Sequence, residues 1–199
     1  LIYTNIDIGL MPHFYLMVKE LIAEGLDAFV INRRTIPKNV GSLNYALSEI
    51  GDSHPGYDCF VFRRELIPQF NLGNVCIGAG WVGRMLIANL LIHTESFKIF
   101  ENLHLTFHLG DDRIWSKKNY WDYTEHNREI LKSYLSTDIQ SANPSNQKLL
   151  SRFKHEILDE EEHIASTRKR LVKRIARYKQ RKRATNSNLT TENKKIPKN

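Results

Sequence analysis

The stretch that decides the fold is residues 1–34, LIYTNIDIGLMPHFYLMVKELIAEGLDAFVINRR. Its first four residues are apolar and β-forming, and the polar residues Asn5 and Asp7 follow at once. Pro12 suits a first helical turn, where a missing N–H costs little. Phe14, Met17, Val18, Leu21 and Ile22 recur at helical spacing, and Gly25 supplies a left-handed stop. Ala28 to Ile31 then reads as a buried strand, closed by Asn32, Arg33 and Arg34. A helical crossover makes the two strands parallel, so their carboxyl ends share one edge of the sheet. Ligands of open α/β sheets bind at that edge. An acid and two arginines converging there suit a phosphate held through a divalent metal.

Outward from this unit, residues 35–57 form a long connection with one short helix near Leu43 to Ile50, ended by the turn His54-Pro55-Gly56. Loops of this length are commonly functional. Cys59 to Phe62 reads as a buried strand, with Asp58 before it and Arg63, Arg64 and Glu65 after it. Asn74 to Ile77 is another apolar run, followed by GAGWVG and a helix from Arg84 to Ile92. Residues 103–109, LHLTFHL, alternate: Leu103, Leu105, Phe107 and Leu109 share one face, and His104, Thr106 and His108 the other. Asp111, Asp112 and Arg113 make the turn beyond, and residues 115–136 read as helical. Asn143 then serves as N-cap with Pro144 at the first helical position. Leu150, Ile157, Ile164, Leu171 and Tyr178 recur every seven residues, but Lys154, Glu161 and Arg168 interrupt the seam, leaving half a coiled coil. From Ala184 onward the composition is that of a disordered end.

The formal charge of +7 belongs to one end of the chain. Residues 151–199 carry 15 Lys/Arg against 6 Asp/Glu, whereas residues 1–150 carry 14 against 16. The basicity therefore says little about what the body binds. The only cysteines, Cys59 and Cys76, lie in apolar runs and read as buried free thiols, which favours a reducing, cytoplasmic setting. The apolar run Met85 to Ile92 is far short of the roughly 20 residues that span a bilayer. The first residue already lies in a strand, so the domain reads as incomplete at its N-terminus.

The order NID, FVINRR, GYDCFVFRREL, HLTFHLGDDRIW resembles nucleotide-sugar-dependent glycosyltransferase-like proteins of the GT-A fold, over about residues 1–115. The resemblance implies an α/β fold with a mixed sheet and flanking helices. It also implies metal-assisted transfer of a sugar from a nucleotide-diphosphate donor to an acceptor the sequence does not name. Asp7 matches the second acid of the D-x-D motif, with Asn5 standing where the first acid is usual. His108 matches a late histidine that completes the shell of Mn²⁺ or Mg²⁺. His104, four strand residues away at roughly 3.3 Å each, cannot reach the same ion. Asn5, Asp7, Arg33 and Arg34 would face the donor, with the arginines neutralising the diphosphate charge and one of the two solvated or paired with a carboxylate. Asp58 matches the acidic position that contacts the acceptor or acts as catalytic base. The family's base- and ribose-binding strands precede the D-x-D region, and no such strands precede it here. On this reading the chain comprises an incomplete GT-A-type domain at 1–136, a basic helical extension at 137–183 and a disordered tail at 184–199.

Two other readings compete. VCIGAGWVG matches a dinucleotide fingerprint, with Gly78, Gly80 and Gly83 following a strand and opening a helix, and Glu101 lies 23 residues after Gly78. That points to an oxidoreductase holding NAD or FAD. Against it, Trp81 is bulky for a loop that a pyrophosphate must approach, and the chain after Glu101 offers one strand where a Rossmann domain needs several βαβ units. The second reading is a non-enzymatic module in which Lys169 to Arg183 drives self-association or holds an anionic partner.

Overall fold

The computed structural model describes residues 1–110, 121–137 and 142–158. The expectations for Asp111 to Arg113, for 115–120, for the heptad beyond Ile157 and for the basic and disordered ends lie outside the described residues.

The fold is mixed α/β. One four-stranded sheet, A, has the order β1 (Ile2–Thr4), β6 (Cys59–Phe62), β3 (Ala28–Ile31), β7 (Phe97–Phe100). The other, B, has the order β2 (Gly9–Leu10), β8 (Thr106–Leu109), β4 (Arg34–Ile36), β5 (Asp52–Ser53). Four runs of chain, 2–10, 28–36, 52–62 and 97–109, each give one strand to each sheet. The pairings β3–β7 and β4–β8 are parallel and the rest antiparallel. Because β1 and β3 both run antiparallel to β6 between them, they are parallel to one another. Their carboxyl ends therefore share an edge, and β6 begins at that same edge.

Helix α1 (Phe14–Ala23) buries Phe14, Val18 and Leu21 against Phe29, Ile31, Cys59, Val61 and Leu105. Ile22, which shares the helical spacing, lies instead on the solvent side. Gly25, at φ 95°, stops the helix. Its N–H donates to Ile22 O, and the Leu26 N–H reaches back to Leu21 O, the paired bonds of a Schellman end. Helix α2 (Leu43–Ser48) is capped by Ser42, whose hydroxyl accepts from Tyr45 N. Helix α3 (Val82–His93) has eight consecutive buried residues, Met85 to Ile92, as expected of a helix covered on every side. Gly83 lets it lie close on β6: a Cβ there would stand 3.3 Å from Tyr57 O and 3.4 Å from Phe60 Cζ.

Helices α4 (Trp121–Ser136) and α5 (Pro144–Leu158) are fastened by buried asparagines. Asn127 Oδ1 accepts from Cys76 N at 2.7 Å, and its Nδ2 donates to Cys76 O and Gly80 O. Asn89 Oδ1 accepts from Asn71 N and from the Tyr134 hydroxyl, while its Nδ2 donates to Asn71 O and Met85 O. Asn146 Nδ2 donates to Leu91 O and Thr94 O at the end of α3. Asn143 caps α5, accepting from Ser145 N at 2.9 Å, as the Asn-Pro pair implied. The chain divides into two compact units, Leu1–Lys154 and His155–Asn199. No helix among the described residues is long and apolar enough to cross a membrane.

Asn74 to Ile77 is not a strand. A 3-10 helix (Arg64–Gln69) and turns lead from β6 to α3, and Trp81, at φ 77°, precedes the helix. With Cys76 and Gly80 engaged by Asn127, this segment is a joint for α4. The strand that a dinucleotide fingerprint requires before its first glycine is missing.

Two outcomes follow from this packing. Asn127→Ala strands one N–H and two carbonyls, and should lower the unfolding free energy in urea by about 2–4 kcal/mol. Burial, reinforced by the Asp58 carboxylate and opposed by a hydrogen bond from Thr4, pushes the Cys59 thiol up to about 12. Iodoacetamide at neutral pH should therefore modify the partly exposed Cys76 alone, and reach Cys59 only on unfolding, as read by peptide mass spectrometry.

Candidate functional site

The functional side chains gather where the four runs step from sheet A to sheet B. Asn5 to Asp7 lie between β1 and β2, Asn32 and Arg33 between β3 and β4, His54 to Asp58 between β5 and β6, and His104 between β7 and β8. At this seam the ladders break and polar groups take over. Thr4 Oγ1 donates to Asp58 O at 2.9 Å, Asn32 N donates to Phe100 O, and His54 N donates to Arg33 O.

Asp7 and His108, read as metal ligands, come together. His108 Nε2 stands 3.1 Å from Asp7 Oδ2, and its Nδ1 stands 2.7 Å from Gly110 O. A carbonyl oxygen only accepts, so Nδ1 carries a proton and Nε2 is the nitrogen turned to the carboxylate. Nε2 then faces Asp7 either as a second N–H donor or as a lone pair that needs a cation between the two. His108 is buried, whereas the Asp7 side chain is 59% exposed, so the pair opens to solvent on the carboxylate side. Asn5 is exposed beside it, and its carbonyl accepts from Ile8 N.

Asp58 and Arg33 also meet, but with each other. Arg33 Nη1 donates to Asp58 Oδ1 at 2.7 Å, with side chains 10% and 6% exposed. Arg33, expected to face a diphosphate, holds the carboxylate instead. The other oxygen, Asp58 Oδ2, has no hydrogen bond and lies 3.5 Å from His54 Nδ1. His54 also places Nε2 3.3 Å from Arg33 Nη2, and Gly56 N donates to its Nδ1. The sequence showed His54 only as part of a turn. Its approach to both members of the ion pair depends on the sheet register, which no local pattern carries.

Arg34, the other expected diphosphate ligand, is committed to the long connection: Nε donates to Ile50 O at 2.9 Å and Nη2 to Gly51 O at 2.5 Å. His104 is half-buried between β7 and β8. Burial, with Arg34 and His13 nearby, holds it below the usual histidine range, and its Nε2 has no hydrogen-bond partner. The polar face of 103–109 is as buried as the apolar one through His108.

No group of three or more His, Cys, Asp or Glu side chains able to hold a metal occurs among the described residues. Asp7 and His108 supply two donors, a carboxylate and an imidazole oriented by Gly110, of kinds that divalent cations take. Comparison with protein-family models, with curated proteins and with solved structures finds no match.

The Arg33–Asp58 pair makes a stability prediction. Asp58→Asn removes the charge that Arg33 Nη1 holds at 2.7 Å and should cost about 3–5 kcal/mol in urea unfolding. The double replacement Arg33→Met with Asp58→Leu, which removes both charges, should recover most of that loss.

Proposed function

We propose that the protein is a glycosyltransferase of the GT-A type, acting on a nucleotide-diphosphate sugar with Mn²⁺ or Mg²⁺. The observation that carries this reading is the Asp7–His108 pair, with Nε2 aimed at the carboxylate because Gly110 O holds Nδ1. Asp7 and His108 would hold the ion at an exposed edge, where a diphosphate has room to complete its coordination. When bound, the ion supplies positive charge against the leaving diphosphate.

The remaining roles fall to the chain's own groups. Asn5, exposed beside Asp7, is placed to donate its amide to a donor oxygen. Asp58 is held by Arg33 through Oδ1 and its side chain is buried, so it would fix the runs that meet at the site rather than take a proton from an acceptor hydroxyl. Arg33 therefore acts by positioning Asp58, and Arg34 by holding the connection that follows β4. Sugar transfer accounts for why an acid, an oriented imidazole and a second fixed carboxylate share one sheet edge. An oxidoreductase reading has no comparable support, because no strand leads into Gly78.

Ligand-induced thermal shift tests this reading, with UDP-, GDP- and CDP-sugars with and without Mn²⁺, and NAD, NADP and FAD alongside. A ligand at about 100 times its Kd stabilises the folded state by roughly 2.7 kcal/mol. A Mn²⁺-dependent rise with one nucleotide sugar is expected, and it should vanish in Asp7→Ala, an exposed position where folding is spared. A rise that is independent of Mn²⁺ and survives in Asp7→Ala, or one given only by NAD or FAD, would refute the proposal.

A further inference from the structure

We infer that the cavity beside His108 is the acceptor subsite of this transferase, and that it takes a neutral, hydroxyl-rich sugar. The inference rests on the transferase reading above and adds the class of acceptor to it. The cavity, about 390 Å³, lies between Thr35, Ile36 and Pro37 on one side and Glu49, Ile50 and Asp52 on the other. That volume lies within the ordinary range of small-molecule sites.

Its position follows from strand register. Thr35 pairs with His108 across the parallel β4–β8 ladder, and residues opposite one another on neighbouring strands project to the same face. Thr35, which borders the cavity, therefore lies on the face of sheet B that carries the His108 side chain. Gly110, whose carbonyl holds His108 Nδ1, also borders the cavity and ties it to β4 by donating its N–H to Ile36 O at 2.8 Å.

The wall is built rather than incidental. Arg34 grips it from behind through the carbonyls of Ile50 and Gly51. Gly51 adopts φ +60°, and a Cβ there would stand 2.5 Å from Thr35 O, so only glycine lets the returning chain lie this close to β4. The β4–β5 pairing of Thr35 with Asp52 then fixes one carboxylate at the rim.

The lining chemistry selects the ligand. Glu49, Asp52 and the Thr35 hydroxyl are acceptors for hydroxyl donors. Pro37 and Ile50 offer an apolar surface, with Ile50 left 71% exposed. None of the described residues lining the cavity is basic. A phosphorylated or carboxylated acceptor would meet like charge at Glu49 and Asp52. A sugar ring has an apolar face and a rim of hydroxyls, which matches both features.

The test is a ¹H–¹⁵N NMR titration of the full chain with the methyl glycosides of glucose, galactose and N-acetylglucosamine, and with glucose 6-phosphate. At least one neutral glycoside should shift the amides of Thr35, Gly51 and Gly110. Its affinity should fall about tenfold in Glu49→Gln or Asp52→Asn, both exposed positions, as expected for weakening a hydrogen bond to a charged group. Glucose 6-phosphate should leave these amides in place. Silence from every neutral glycoside, equal binding of the phosphorylated sugar, or unchanged affinity in both variants would overturn the inference. The Mn²⁺-dependent thermal shift, run on the same sample, separates the two claims. Donor binding without glycoside shifts removes the subsite alone. Glycoside shifts without donor binding remove the transferase, and with it the acceptor role of the cavity.

Discussion

Four runs of chain cross between two sheets that order them differently, and this constraint shapes the rest of the structure. The run 28–36 stays inside both sheets, flanked by 52–62 and 97–109, but those two exchange sides. In sheet A the run 2–10 lies beside 52–62, and in sheet B beside 97–109. No continuous ladder survives such an exchange, so the polar groups at the seam need other partners. The Arg33–Asp58 ion pair, backed by His54, fills that need at the centre. A bare carboxylate or guanidinium there would cost several kcal/mol, whereas the pair joins one Nη1 to one Oδ1 at 2.7 Å and fixes the spacing between runs 28–36 and 52–62.

The same exchange explains why the candidate site is where it is. Where neighbouring strands part, a crevice opens at their carboxyl ends, and side chains from different runs can reach one point. Asp7 and His108 are 101 residues apart in sequence and meet at 3.1 Å. The backbone supplies the final orientation: Gly110, at φ 75°, turns the chain after β8 so that its carbonyl meets Nδ1. An imidazole held this way presents its second nitrogen at a set angle, as histidines beside metals do. The α-helices contribute rigidity at a distance. Helix α3 is buried from Met85 to Ile92, Asn127 of α4 closes the segment before it, and Asn146 of α5 holds its end.

Much of this was legible in the sequence where the signal was local. Ala28–Ile31 and Cys59–Phe62 are continuous apolar runs that could only be buried, and both are strands with those bounds. Pro12, Gly25 and the Asn143-Pro144 pair mark helix ends by their backbone preferences alone. The meeting of Asp7 with His108 was reached through the order of motifs. Signals that depend on pairing were invisible. Strands of two or three residues, such as Gly9–Leu10 and Asp52–Ser53, have no periodicity to read, and FKIF at 97–100 was passed over between a helix and a clearer strand. The glycines at 78–83 imitated a nucleotide loop because composition cannot show that Asn127, some 50 residues on, takes up the intervening backbone groups. The partners of Arg33 and Arg34 shown in the fold, Asp58 and the Ile50 and Gly51 carbonyls, lie elsewhere in the chain, where no local pattern shows them.

Under the proposed function, Asp7 and His108 form one end of a metal–diphosphate site. Mn²⁺ paramagnetic broadening of the histidine ¹H–¹³C signals, recorded with UDP present, tests it most directly. Selective loss of the His108 Hε1 and Hδ2 resonances at substoichiometric Mn²⁺, with His54 and His104 affected less and the effect abolished in Asp7→Ala, is the expected result. His108 signals that stay sharp, or broadening that persists without Asp7, would contradict it.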